Sequence, residues 1–258
     1  MQNREIKTVM HQVKTRTLQI KKITDITSSL RRITLTGEEL SGFTSLSPDD
    51  HIKVFFPYPG EDRPVLPVFG PNGPQSPDGR RPIMRDYTPR RYDEIAQELD
   101  IEFFLHGEGP GSSWAQQAQV GQSLTIGGPR GSKIVPYNFD GYLMIGDESA
   151  LPSFARRLEE LPLHAKTVIV MEVETPSDEI AFISSTHLDV HWLHRNGHKP
   201  GSAERFIQAL QKINLPQGDF FAWIASEKNC AKQIENFLLA EKKTQSEWIK
   251  ATGYWSHS

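Results

Sequence analysis

The stretch Tyr142-Leu143-Met144-Ile145-Gly146, running on into Asp147-Glu148-Ser149-Ala150-Leu151-Pro152, is where this 258-residue chain changes rhythm. YLMIG reads as a compact apolar strand, and the spacing predicts a helix over 149–161. Val168–Glu174 (VIVMEVE) is a second apolar run, with short strand candidates at Glu179–Ile183 and Val190–Leu193. Ser202–Ile213 places Phe206, Ile207, Leu210 and Ile213 on one helical stripe, with Ser202 as the N-cap. Phe220–Ala225 is a strand, Lys228–Lys242 a helix, and Trp248–Trp255 a last strand. Strands alternating with helices point to a parallel α/β sheet.

Upstream, from Thr17 to about Tyr137, the pattern is one of short strands and turns. Leu18, Ile20, Ile23 and Ile26 alternate imperfectly, and Leu30, Ile33 and Leu35 follow a Thr-Ser-Ser turn signal. His51–Phe56 (HIKVFF), Pro82–Tyr87 and Ile101–His106 (IEFFLH) are each bounded by Gly, Pro or Asp. Several strands at this spacing predict a small antiparallel barrel. Pro57–Arg81, rich in Gly and Pro, reads as a mobile surface loop. The expected organisation is an N-terminal β-barrel over 1–137 and a smaller α/β domain over 138–258.

Composition sets limits on function. Lys plus Arg number 29 against 32 Asp plus Glu, a net charge of −3, which implies no general affinity for nucleic acid or membrane surfaces. The single cysteine excludes an internal disulfide, a four-cysteine zinc site and a self-contained iron–sulfur cluster. No apolar run approaches the length of a membrane span, and the polar start lacks a signal-like apolar segment, so a cytoplasmic protein is expected.

Three segments carry chemistry. In Arg85-Asp86-Tyr87-Thr88-Pro89-Arg90, a strand puts Arg85 and Tyr87 on one face; a guanidinium can grip a phosphate and a tyrosine ring can lie against a flat heterocycle. The same run also suits an ordinary polar strand edge. In His106-Gly107-Glu108-Gly109-Pro110-Gly111-Ser112-Ser113-Trp114-Ala115, Gly-rich turns lead into a helix start whose free amides would attract phosphate. Gly146–Pro152 ends the first strand of the α/β half, where ligands bind in open sheets, yet it lacks the G-x-G-x-x-G fingerprint.

These segments, with Gly128–Ser132 (GPRGS), GDESALPS and Gly253-Tyr254-Trp255, together resemble bacterial siderophore-interacting proteins. Members of that family are flavin-dependent ferric-siderophore reductases, similar in layout to the ferredoxin–NADP reductase superfamily. The motifs occur in the family's order from Arg85 to Trp255, and HIKVFFP extends the match to His51. The resemblance implies a FAD-binding barrel and an α/β domain that receives NAD(P)H. By motif, Arg85, Tyr87 and Thr88 would contact the flavin ring and adjoining phosphate. His106, Gly109, Gly111, Ser112 and Ser113 would hold the rest of the FAD, with Trp114 nearby. Asp147, Glu148 and Ser149 would face the nicotinamide, and Trp255 would either cover the FAD or close the domain interface. Lys53, Arg130 and Lys250 match the family's basic cluster for an anionic ferric siderophore. Many members carry Arg where Lys250 stands, and Lys keeps the charge but loses the bidentate fork.

The implied activity is electron transfer from NAD(P)H, or from an external ferredoxin, through FAD to Fe(III), with no obligatory general acid or nucleophile and no resident metal in the protein. The acid-rich GDES loop offers no obvious 2′-phosphate clamp, which leans the donor slightly towards NADH. The rivals are a general NAD(P)H:flavin or quinone reductase and a non-catalytic siderophore-binding flavoprotein. The cluster His187, His191, His194 and His198 reads as a structural strand rather than a metal site, and Cys230 as a small packed residue.

Overall fold

The computed structural model describes residues 4–70, 73–75, 79–107 and 109–257. The chain divides into two compact units between Ile134 and Val135, the first running from Ile6, and the described residues Arg4 and Glu5 belong with the second. The sequence reading set the change of rhythm three residues later.

In the first unit the strands are β1 (Lys7–Met10), β2 (Thr15–Asp25), β3 (Leu30–Thr36), β4 (Ile52–Phe56), β5 (Val68–Gly70), β6 (Gly73–Gln75), β7 (Ile83–Tyr87), β8 (Arg91–Asp93), β9 (Glu98–Phe104), β10 (Ser123–Gly127) and β11 (Gly131–Ile134). One short helix, α1 (Pro110–Gln117), lies between β9 and β10. Seven strands form an antiparallel sheet in the order β7-β4-β10-β2-β3-β9-β8, curled as a half-barrel around Leu18, Ile20, Ile33, Leu35, Val54, Phe103 and Ile126. The imperfect alternation of β2 has a local cause: its register against β3 shifts between Ile20 and Lys22, so the next inward residue is Ile23. Strand β1 pairs with β11, an association the sequence pattern did not announce. Of the Pro57–Arg81 excursion, residues 71, 72 and 76–78 lie outside the described residues, and the rest contains the β5–β6 pair.

The second unit is a parallel sheet of β12 (Gly141–Asp147), β13 (Lys166–Val173), β14 (His187–His194), β15 (Phe220–Glu227) and β16 (Ile249–Trp255), in the order β14-β13-β12-β15-β16. Helices α3 (Ala203–Lys212) and α4 (Lys228–Ala240) bury Phe206, Leu210, Ile234 and Leu238 with Leu143, Ile145, Val170 and Ile224. On the opposite face, α2 (Leu151–Glu160) sets Phe154 against Trp223 at 5.1 Å. Every residue of β12 is buried, as a central parallel strand requires. Because β13 and β15 flank β12, its carboxyl end is the switch point of the sheet.

Glu179–Ile183, expected as a strand, is irregular. The turn before it ends in Asp178, which closes a capping box with Thr175, and Glu179 Oε1 lies 2.7 Å from His194 Nε2. Ser202 does stand at the N-cap of α3, but its hydroxyl makes no capping bond. Arg4 docks on the second unit. Its guanidinium pairs with Asp219, comes within 3.5 Å of Asp140, and lies over Phe139 and Trp248 at 5.1 and 5.4 Å.

Candidate cofactor and substrate site

The register of β7 against β4 fixes which side each residue of Arg85–Tyr87 takes. Arg85 and Tyr87 stand opposite Val54 and Ile52, both fully buried, so they share the inner face; Asp86 stands opposite Lys53 on the outer face. Arg85 is nevertheless exposed, which puts its guanidinium at the open edge of the half-barrel. Its one hydrogen bond among the described residues runs from Nη1 to the Met84 carbonyl at 2.8 Å, and no carboxylate there pairs with it.

Tyr87 is held by rings. Phe103 lies 4.4 Å from it centroid to centroid and Phe56 6.4 Å, while Trp114 of α1 packs on both of these neighbours at 5.6 and 5.9 Å. The phenol oxygen ends against α1: a Cβ added to Gly111 would come within 2.0 Å of it, so only glycine fits there. Burial pushes the Tyr87 pKa well above its ordinary value, partly offset by the nearby Arg85 charge, so the hydroxyl stays a donor. Among the described residues it has no hydrogen-bond partner.

Helix α1 begins without a cap. Gly109, at φ 88°, has no side chain to offer, and Pro110 removes one amide, leaving those of Gly111 and Ser112 ahead of the first helical bond, Ser113 N–H to Gly109 O at 3.0 Å. Ser112 takes a different role from the expected one: its buried hydroxyl accepts from the His106 amide at 3.1 Å and closes the turn. Ser113 is partly exposed, and Thr88 is almost wholly buried. Among the described residues, the barrel unit thus brings together a guanidinium without a carboxylate partner, a phenol without a hydrogen bond, and the first amides of α1. That donor set suits a diphosphate-bearing cofactor with a planar ring.

Two of the three expected cations sit in the same unit. Lys53 stands opposite Gly127 on β10 and holds Asp86 at 2.7 Å, both side chains being about half exposed. Arg130 follows three residues after Gly127 and is exposed, its carbonyl accepting from the His11 amide at 2.9 Å. Lys250 belongs to the other unit, on β16 opposite Trp223, with Nζ 5.9 Å from that ring; burial lowers its pKa to about 8.

The carboxyl end of β12 is closed. Asp147 Oδ1 accepts from the Ser149 amide at 3.0 Å and from the Ser149 hydroxyl, while Oδ2 accepts from Trp255 Nε1 at 2.8 Å. Glu148 is forked by Arg195, which also reaches Glu172 at 3.5 Å and Glu174 at 3.2 Å. Arg205 approaches Glu172 from the other side at 3.3 Å. Burial raises the pKa of Asp147 and Glu148 despite these donors, and it pushes Glu172 up to about 7. The acids of GDES are therefore hydrogen-bonded inside the fold.

Sequence reasoning missed Arg195 because the run HLDVHWLHRNGH drew attention to its histidines. The available signal was an Arg at the end of an apolar strand beside the Glu172/Glu174 alternation. Of the histidines, His191 lies 3.0 Å from Asp189 and His194 pairs with Glu179; His187 and His191 share one face of β14, while His198 falls beyond it. No group of potential metal ligands occurs among the described residues. Cys230 is buried in the first turn of α4, its thiol pKa pushed up to about 12 by burial.

Comparison with known proteins is consistent across the chain. Residues 19–133 match the siderophore-interacting FAD-binding domain and residues 139–258 the siderophore-interacting protein domain. The NADPH-dependent ferric-chelate reductase of Escherichia coli K12 is 37% identical over 251 residues, 96% of this chain and 95% of the relative. The ferric vibriobactin reductase ViuB of Vibrio cholerae is 34% identical, covering 89% of this chain and 85% of its own. The crystal structure of a siderophore utilization protein from T. fusca superposes with a TM-score of 0.91 at 35% identity, covering 98% and 97% of the two chains. With a FAD-binding half-barrel followed by a parallel α/β unit, this chain belongs to the siderophore-interacting protein family.

Proposed function

We propose that the chain is a cytoplasmic FAD-dependent ferric-siderophore reductase. In this reading Ile6–Ile134 holds the flavin, and Val135–Ser258 receives the electron donor. The observation that supports it most is the Tyr87 hydroxyl, without a hydrogen-bond partner among the described residues and set against Gly111 at the uncapped start of α1. Arg85 neutralises phosphate charge, the Gly111 and Ser112 amides and the Tyr87 hydroxyl donate to cofactor oxygens, and the ring wall of Phe56, Phe103 and Trp114 fixes the tyrosine. Bound FAD would accept two electrons from a nicotinamide and release them singly, as a ferric substrate requires.

Lys53 and Arg130 gather the chelate. Ferric complexes of catecholate and many carboxylate ligands are anionic, whereas this chain carries net negative charge, so a local cationic patch is needed to concentrate them. Hard oxygen donors hold Fe(III) more tightly than Fe(II), and reduction frees the metal. The lean towards NADH came from the lack of an obvious 2′-phosphate clamp in the GDES loop, whose Asp147 and Glu148 are internally bonded. Against it, the relative named as NADPH-dependent favours NADPH as donor.

The test is anaerobic bleaching of the flavin by NADPH, NADH and reduced ferredoxin in parallel, followed by mixing with ferric chelates and an Fe(II) trap. Bleaching by NADPH and reoxidation by a catecholate chelate are expected. Reoxidation by quinones but by no chelate would overturn the assignment in favour of a general reductase. The paired charge reversal Lys53→Glu and Arg130→Glu is expected to raise KM for chelate at least tenfold with flavin content unchanged, since each removes and inverts a charge facing an anion.

A further inference from the structure

We infer that Asp86 is the counter-ion that sets how strongly the chelate site selects by charge. The inference rests on the reading of Lys53 as a cation of that site, and it names the residue that tempers it.

Strands β4 and β7 are antiparallel neighbours, and their register puts Lys53 directly opposite Asp86. Residues so placed carry their Cβ atoms about 5 Å apart, close enough for the side chains to meet. They do meet: Lys53 Nζ lies 2.7 Å from Asp86 Oδ1 and 2.8 Å from Oδ2, so the ammonium faces both carboxylate oxygens. On its other flank Lys53 stands opposite Gly127 of β10, which contributes no side chain. The diagonal neighbours on the outer face, Thr125 and Met84, carry no charge.

The other charged groups nearby in the chain are engaged differently. Arg85 precedes Asp86 but takes the inner face, where it bonds the Met84 carbonyl. Asp86 therefore compensates the substrate cation and not the cofactor guanidinium. Asp49 and Asp50 precede β4; Asp50 is buried and accepts from Ser45, Ser47 and Ser132.

The pair is open to solvent. The Lys53 and Asp86 side chains are 42% and 48% exposed, so water screens their attraction and the bond holds little stability. A lysine ammonium has three donors, so it can bond an incoming oxygen without leaving Asp86. A chelate docked on Lys53 thus meets a cation and an anion together. Attraction by one and repulsion by the other both scale with ligand charge, so the carboxylate weakens a trianion most and a neutral chelate not at all. Screened through water at about 8 Å, one negative unit changes the affinity for a trianion roughly threefold. Asp86 narrows the preference between chelates of different charge: a bare lysine would favour the trianion, and the pair favours it less.

The experiment compares two redox-inert gallium(III) complexes, a trianionic hexadentate tris-catecholate and a neutral tris-hydroxamate, binding to the FAD-loaded protein by calorimetry at pH 7. Asp86→Asn is expected to bind the trianion about threefold more tightly than wild type at about 0.1 M salt, with the gain falling below about twofold at about 0.5 M. Affinity for the neutral complex should be the same in both proteins. Asp86→Glu, which keeps the charge, should match wild type on both complexes. A carboxylate with only a structural role would move neither the salt dependence nor the charge preference. If Asp86→Asn binds the trianion no more tightly than wild type, or gains equally on the neutral complex, the role of Asp86 is overturned. Lys53→Gln separates the two readings. If it binds the trianion as wild type does, Lys53 is no part of the site and the patch reading fails; if it weakens binding while Asp86→Asn brings no gain, only the Asp86 assignment fails.

Discussion

The amide end of α1 and the carboxyl end of β12 are both turns between a strand and a helix, yet their polar groups are in opposite states. At α1 the cap has no side chain, and among the described residues the Tyr87 hydroxyl has no hydrogen bond and Arg85 no carboxylate partner. At β12 the Asp147 carboxylate takes three donors, and Glu148 takes two from Arg195. In the proposed function, cofactor oxygens complete the first turn. The second is complete already. Buried polar groups that are fully paired report on folding, and convergent groups without partners report on a ligand.

Substitutions should separate the two ends cleanly. Arg195→Leu leaves Glu148 and Glu172 buried without their main cation, and a loss of about 3–5 kcal/mol is expected in denaturant unfolding, with flavin retained by any protein that folds. Glu172→Gln tests the same network through pH. Its carboxyl is raised to about 7 by burial against an ordinary value of 4.5, so the folded state holds the proton more tightly than the unfolded one. That contribution is fully present below about pH 4.5 and lost as pH rises through 7. Wild type should therefore lose roughly 2–3 kcal/mol relative to Glu172→Gln between pH 5 and 8, read as a difference in melting curves. Trp255→Phe removes the indole donor to Asp147 and should cost about 1–2 kcal/mol in the same assay. Arg85→Ala should leave stability within about 0.5 kcal/mol yet weaken FAD binding about tenfold, near 1.4 kcal/mol, measured by flavin fluorescence. A flavin defect in Arg195→Leu, or a folding defect in Arg85→Ala, would erase the contrast.

The sequence disclosed the two-part architecture because its signals are periodic and local: YLMIG buried throughout, the Phe206/Leu210 stripe, HIKVFF beside a Pro-rich break. It also singled out the Arg85–Thr88 and Gly109–Ser113 segments as candidates, since both are contiguous. What it hid was partnership. Nothing in GDES indicates that its acids meet Arg195, 47 residues beyond Glu148, or an indole 108 residues beyond Asp147. The same holds for Ser132, read as part of a turn motif and found 2.6 Å from Asp50. Composition cannot distinguish a free acid from a paired one, and the nicotinamide-facing role of the GDES loop came from the family resemblance, not from its acids.

The position of Arg4 bears on how the chain assembles. The second unit is discontinuous, with the barrel inserted between Glu5 and Val135. Clasping Arg4 to Asp219 closes a loop spanning 215 positions in an unfolded chain. Once β1 has zipped to β11, Lys7 stands beside Ile134, and the inserted barrel drops out of that loop. Loop entropy grows with the logarithm of length, so this shortcut lowers the closing cost by on the order of 1 kcal/mol. A barrel that folds first thus presents both flanks of its neighbour together, and the interruption becomes an order of assembly.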